Sequence, residues 1–344
     1  MNLKRRAVTL GIMALGGASL GMGRALAQAD PVEAARKEGQ LTWYSGILNQ
    51  TICDDVSHAF TAKFPGIRVN AIKTTSEVAF QRVMQDVNGG KIQSDVFTTT
   101  DASHMTYLIG RNLLVRYVPA NAAGLLPVLQ DFGSQGYYHV SSVGVVALMY
   151  NTNKVKAADA PKDWPDLTDP KWKNQIAFGS PNYSGLVAVW TVGMTEKYGW
   201  EYFEKLNKLN PLIGRSIDDA VTALNSGERQ VAICNPASAF RSAAKGNPLA
   251  VNYATSFTLA DPSPSAILKG SRSPNAAKLF MEFLTGPEYS KILTANFEQS
   301  LRADVPPPRG AKSLTELTVF IPALANIEKE LPGNKARWRD TFGM

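Results

Sequence analysis

The feature that most constrains this chain is a repeated alternation of short apolar strands and amphipathic helices. Leu41-Thr42-Trp43-Tyr44 reads as a strand that ends at Ser45-Gly46. A helix follows, with Ile52, Val56, Ala59, Phe60 and Phe64 at helical spacing, stopped by Pro65-Gly66. Residues 67–72 read as a second strand. Thr74-Thr75-Ser76 then caps a helix whose apolar face is Val78, Phe80, Val83, Met84 and Val87, stopped at Asn88-Gly89-Gly90. Asp95-Val96-Phe97 forms a third strand, running through Thr98-Thr99-Thr100-Asp101 into a helix over 103–111. Strand and helix alternating through short connections imply a mostly parallel sheet flanked by helices.

The rhythm breaks once and then resumes. Residues 137–150 are β-rich, with Val140, Val143, Val145, Val146, Leu148 and Met149, and are too long for one ordinary strand of ~5–6 residues. They read as a segment crossing between lobes. After a polar stretch with Pro161, Pro165 and Pro170 come a strand over 175–178 and a helix through Tyr198, led in by residues 180–185. A helix over 200–209 follows, then one capped by Ser216 and ended by Asn225-Ser226-Gly227. Strand 231–234, helix 237–245, strand 249–253 and a helix from Pro274 to Leu284 complete the second set. Pro306-Pro307-Pro308 marks a loop before C-terminal helices. The length exceeds a typical domain of ~100–150 residues, so two α/β lobes around a cleft are expected. The expected division is 28–138 in the first lobe, 139–252 in the second, 253–300 back in the first, and 301–344 as helices packing on the second. Crossings near 137–150 and 250–258 would form the hinge.

The N-terminus sets the compartment. Lys4, Arg5 and Arg6 precede an apolar, acid-free run from Ala7 to Met22, and Ala25-Leu26-Ala27 fits the small-x-small cleavage rule. Residues 1–27 therefore read as a secretory signal peptide, with the mature chain starting near Gln28 in the periplasm. Five glycines within 11–23 weigh against a membrane helix. Arg5-Arg6 leaves the Sec and twin-arginine routes both open. No cysteine stands at the cleavage site to carry a lipid anchor. The net charge of +7 overstates the mature chain, because residues 1–27 hold Lys4, Arg5, Arg6 and Arg24 and no acid. The remaining balance, 32 basic against 29 acidic residues, provides no basic stripe for nucleic acid. No later run is long enough to span a membrane. Cys53 and Cys234 fall in different expected lobes, where a bridge would lock a hinge, so two buried thiols are expected.

In an open α/β sheet, ligands bind beyond the carboxyl ends of the strands. Those positions hold Ser45-Gly46, Thr74-Thr75-Ser76, Thr99-Thr100-Asp101, 180–185, Ser216 and Asn235. Nearly all are small and carry a hydroxyl or an amide. Several start helices, whose free N–H groups and partial positive charge favour anions without any lysine. One such residue means nothing, since Ser, Thr and Asn cap helices everywhere; recurrence in both halves points to a shared anion site. Ser45, Thr75, Thr100, Ser184, Ser216 and Asn235 are the candidate donors, beside Gly46, Ser76, Asp101 and Gly185 at the same strand ends. Arg215 adds a charge or lies at the surface. Tyr44 and Tyr183 would shape the rest of the ligand, while Trp43 and Tyr150 read as core. Motifs for chemistry are missing: no G-x-S-x-G elbow (Gly133-Ser134-Gln135-Gly136 has the wrong spacing), no phosphate loop, no G-x-G-x-x-G. His58, His104 and His139 lack metal-ligand spacing, and no cofactor is expected. Asp54-Asp55 and Asp218-Asp219 read as helix-dipole compensation.

Several of these segments resemble one family. Leu41-Thr42-Trp43-Tyr44-Ser45-Gly46, Ser94-Asp95-Val96-Phe97, the stretch 108–119, Tyr150-Asn151-Thr152, and above all Pro161-Lys162-Asp163-Trp164-Pro165-Asp166-Leu167 with Asp169-Pro170-Lys171-Trp172-Lys173 look like periplasmic binding proteins of the ferric-iron, thiamine and phosphonate transporter group. The likeness spans nearly the whole mature chain. It implies a two-lobed type II periplasmic-binding-protein fold of class α/β, a monomer that binds a small solute, performs no catalysis, and delivers to an ABC transporter permease. Iron-binding members hold their metal with adjacent tyrosines after an "INN"-like strand; here that place reads Ile233-Cys234-Asn235-Pro236-Ala237-Ser238. The histidine common in their first loop is also absent, Ile47-Leu48 standing there. Thr74-Thr75-Ser76, Ser184-Gly185, Ser216 and Asn235 match the positions where the group binds an anion. The expected ligand is thus a small anionic solute: an organophosphate, phosphonate or carboxylate. The rivals are a ferric-iron carrier using other oxygen ligands, an exported hydrolase, and a module feeding a sensor kinase.

Overall fold

The computed structural model describes residues 30–343 apart from 131, 133 and 134. The expected signal peptide lies outside the described residues, as do Gly133 and Ser134. The first half runs α1 (Pro31–Glu38), β1 (Gln40–Ser45), α2 (Gln50–Lys63), β2 (Arg68–Lys73), α3 (Ser76–Asn88), β3 (Val96–Thr98), α4 (Ala102–Gly110) and α5 (Pro127–Gln130). The long β4 (His139–Asn151) leads out of it. Next come β5 (Ile176–Gly179), α6 (Gly185–Tyr198), α7 (Glu201–Lys208), β6 (Leu212–Gly214), α8 (Ile217–Asn225), β7 (Val231–Cys234), α9 (Pro236–Ala244) and β8 (Leu249–Asn252). The chain returns through β9 (Thr258–Ile267) to α10 (Pro274–Leu284) and α11 (Pro287–Ala295), and ends with β10 (Val319–Phe320) and α12 (Leu324–Phe342).

Parallel pairing joins β2, β1 and β3, and likewise β7, β5 and β6, as strand–helix alternation requires. Two antiparallel strands connect the halves. β4 pairs with β9 from His139 to Val146, then with β7 and β8 from Ala147 to Asn151. β9 pairs with β3 at its far end and with β10 at its start. The second crossing therefore lies at 258–267, not at 250–258; β8 stays beside β4 in the second half.

Two prolines hid β9 from the sequence, because Pro262 and Pro264 argue against a strand. The structure shows why they are tolerated. The Pro264 carbonyl accepts from the Thr99 N–H at 3.1 Å on the side away from β4. Proline nitrogens at 262 and 264 share that side by strand parity, so no hydrogen bond to β4 is lost.

Each half has its own core. Trp43, Phe60 and Phe280 meet at ring distances of 5.1–5.2 Å in the first. Trp164, Phe178, Trp190 and Phe203 fill the second, where Trp338 of α12 lies 5.6 Å from Phe203 and 5.7 Å from Phe178. Trp43 is fully buried, with its indole N–H on Thr98 Oγ1 at 2.8 Å. Cys53 and Cys234 sit in different cores as free, buried thiols, and burial pushes both above the ordinary thiol range. Among the described residues no helix is long and apolar enough to cross a membrane.

Candidate functional site

The carboxyl ends of both parallel strand sets open onto one cleft between the halves. A cavity of about 520 Å³ is lined by Gly46, Thr75, Ser76, Thr100 and Asp101 from the first half and Tyr183, Ser184, Gly185 and Asn235 from the second. A second cavity of about 320 Å³ shares Lys73, Gly144, Ser184 and Asn235 with it and adds Ser216. Among the helices that start at this cleft are α3, α6, α8 and α9, each of at least nine residues.

Their caps leave donors unspent. Thr75 Oγ1 accepts from Val78 N–H, Ser184 Oγ from Val187 N–H and Ser216 Oγ from Asp219 N–H, each at 3.4 Å. A hydroxyl that accepts from its helix still has its own O–H to donate. Asn235 works the same way: Oδ1 accepts from Ala237 N–H at 3.0 Å, which leaves the amide N–H₂ for other partners. Helix partial charge adds to these donors. Lys73, the last residue of β2, is exposed at the rim of both cavities with no ion pair among the described residues.

Other candidates hold the walls together. Ser76 Oγ accepts from the Thr100 N–H at 2.9 Å and lies 3.1 Å from the Gly46 carbonyl, to which it donates, so its hydroxyl is spent on fixing two loops to the start of α3. Gly46 is required there: a Cβ would stand 2.8 Å from Ser76 Cα and from the Thr98 carbonyl. Gly185 brings α6 against the first half, with its absent Cβ 3.4 Å from Thr100 Oγ1. Asp101 caps α4 through Ser103 N–H at 2.9 Å.

Three candidates do not reach the cleft. Tyr44 and Ser45 point to opposite faces of β1, and helices cover both faces of a parallel sheet. Tyr44 is buried with Phe97, Met105 and Leu108, where burial raises its phenol. Ser45 is buried with its hydroxyl unpaired. Only Gly46, just beyond the strand, meets solvent. Arg215 lies outside the cavities, stacked on the Tyr183 ring at 5.1 Å, and Tyr183 stands 64 % exposed at the rim.

The structure adds residues that sequence reasoning missed. Lys73 ends a strand directly before Thr74, so the strand-end rule itself would have found it. Glu77 and His104 line the larger cavity; His104 is buried, stacked on Phe80 at 4.0 Å, with Nδ1 3.0 Å from Thr99 Oγ1. Burial lowers its pKa, against the pull of Asp101 and Glu77. Asp261 and Ser263 also line it, from the proline-masked β9. In the smaller cavity Arg241 of α9 bonds Glu298 at 2.8 Å and the Asn296 carbonyl at 3.1 Å, joining the two halves. Among the described residues no group of three or more His, Cys, Asp or Glu is placed to hold a metal.

A two-lobed α/β frame with a polar interlobe cleft defines a solute-binding protein. The chain belongs to the bacterial extracellular solute-binding proteins, whose family model matches residues 92–314. A Haemophilus influenzae (strain Rd) protein described as uncharacterized is 23 % identical over 268 residues, covering 75 % of this chain and 76 % of that one. Iron-bound HitA from Pseudomonas aeruginosa superposes with a TM-score of 0.74 at 24 % identity, over 88 % of this chain and 99 % of HitA. The periplasmic binding protein AfuA from Actinobacillus pleuropneumoniae, with fructose-6-phosphate bound, has a TM-score of 0.74 at 21 % identity, over 89 % and 99 %. The ferric binding protein from Campylobacter jejuni has a TM-score of 0.72 at 20 % identity, over 88 % and 99 %. At such identities the likeness speaks for the fold, which is the type II periplasmic-binding fold.

Proposed function

We propose that this protein captures a small anionic solute, an organophosphate, phosphonate or carboxylate, in the cleft and delivers it from the periplasm to the permease of an ABC importer. One observation carries the reading: four helix N-termini with unspent donors, together with unpaired Lys73, surround the same cavities. Dipoles, hydroxyls and one ammonium are what an anion needs in place of its water. The fructose-6-phosphate held by AfuA is a ligand of this chemistry on the same fold. The two halves act as lobes hinged on β4 and β9; of the C-terminal stretch expected on the second lobe, α12 packs there through Trp338, while Leu301 and Leu314 join the core of the first and Arg302 bonds the Asn121 and Thr285 carbonyls.

HitA and the Campylobacter protein are described by their iron, so the test includes it. Tyr183 is the single tyrosine among the described residues lining the larger cavity. Calorimetry with sugar phosphates, phosphonates and small carboxylates should give saturable binding by at least one of them. The purified protein should be colourless, because ferric tyrosinate absorbs visible light. A coloured protein with stoichiometric iron and no affinity for the acids would overturn the proposal.

A further inference from the structure

Anion binding accounts for the helix starts and Lys73 but leaves the β9 wall unexplained. Asp261 is only 7 % exposed and lines both the 520 Å³ cavity and a neighbouring, more apolar one. Its carboxyl has no hydrogen bond and no cation among the described residues. Other buried acids are satisfied: Asp95 accepts from the N–H groups of Thr42, Arg272 and Ser273 and from Ser271 Oγ, and Glu298 has Arg241. A buried carboxyl without a partner is costly, and one facing a ligand cavity points to a partner on the ligand.

The surroundings say what kind of partner. Ser263, on the same face of β9, is fully buried, lines the larger cavity and has its hydroxyl unpaired. Glu77 and Asp101 share that cavity. Pro262 has no N–H, so the β9 edge that faces away from β4 offers acceptors there and no donor. Burial and the neighbouring Asp101 charge hold the Asp261 carboxyl well above the usual range, and a bound cation would act in the opposite sense. A wall of acceptors fits a group that only donates.

We propose that the solute carries a protonated amine as well as its acid group, and that Asp261 receives the amine at the β9 wall while Lys73 and the helix N-termini hold the acid. The inference rests on the anionic reading above and narrows it to zwitterionic solutes. Calorimetry on the mature protein with two matched pairs tests it: O-phosphoethanolamine against ethyl phosphate, and 4-aminobutyrate against butyrate. In at least one pair the amine-bearing member should bind roughly tenfold tighter or more, and in Asp261→Asn that ratio should fall below about threefold. Equal or weaker binding of the amines in both pairs overturns the inference with the wild-type protein alone, so the result stands even if the variant does not fold. A ratio unchanged in folded Asp261→Asn overturns it too. If the acids bind and the amine adds nothing, or if none of the four probes binds but one of the sugar phosphates, phosphonates or carboxylates above does, only this inference falls; if no acid of either set binds, the anionic reading falls with it.

Discussion

At the residue scale, side chains with the same chemistry have different work. The hydroxyl of Ser76 is spent inside the protein, whereas those of Ser184 and Ser216 keep a hydrogen for the cleft. A hydrogen bond to a charged group contributes about 1.5–3 kcal/mol, so Ser184→Ala and Ser216→Ala should each weaken solute binding roughly ten- to a hundredfold by calorimetry. Affinities equal to wild type in both would remove the helix starts from the site. Asp261 has a second, ligand-free signature. Its carboxyl is raised in the folded state, so the empty protein gains stability from the protonated form at low pH and loses it as pH rises through that raised value. Asp261→Asn should therefore raise the melting temperature of the empty protein at neutral pH and change little below about pH 4, where the wild-type acid is protonated folded or unfolded. A variant less stable than wild type at neutral pH would mean the carboxylate is satisfied. The helix caps were legible in the sequence because Ser, Thr and Asn announce themselves before an apolar periodic run. Tyr44 and Ser45 were misjudged because which face a strand residue takes, and that both faces are covered, depends on packing.

At the element scale, most strands and helices follow from local pattern: apolar runs of strand length, helical spacing, and stops such as Pro65-Gly66 and Gly89-Gly90. Those that escaped have a tertiary cause. β9 carries two prolines, tolerated because their nitrogens face away from β4 between the stretches that pair with β10 and β3, and β6 and β10 are too short to show a period. α12 did not escape, since helices were expected after the triple proline, but it holds through Pro332 because Trp338 is buried among Phe178, Phe203 and Phe342. Packing of this kind outweighs the local cost of the proline. Replacing a fully buried tryptophan leaves a cavity that costs about 3–5 kcal/mol, so Trp338→Ala should lower the melting temperature and expose α12 to hydrogen exchange. Unchanged protection in α12 would show that the helix is held elsewhere.

At the scale of the whole molecule, two α/β halves are held by β4, β9 and a few bridging contacts. Arg241 with Glu298 and Gly185 beside Thr100 are such contacts, and all four residues line the cleft cavities. The two-lobed plan was legible because the strand–helix rhythm occurs twice around one overlong β run. The position of the second crossing was not, since its strand lacks an apolar period. Hinge bending on the two crossing strands should close the lobes on the solute, so small-angle scattering should show a smaller radius of gyration at saturation. A constant radius would point to a preformed, rigid cleft. The claim on which the rest depends is that this cleft holds a small anion. Native mass spectrometry of the protein taken from the periplasm, wild type beside a Ser184→Ala/Ser216→Ala double variant, addresses it most directly. The wild type should carry one small molecule bearing a phosphate, phosphonate or carboxylate, and the double variant should have lost it. A bound ferric ion, an uncharged molecule, or equal retention by both proteins would contradict the account.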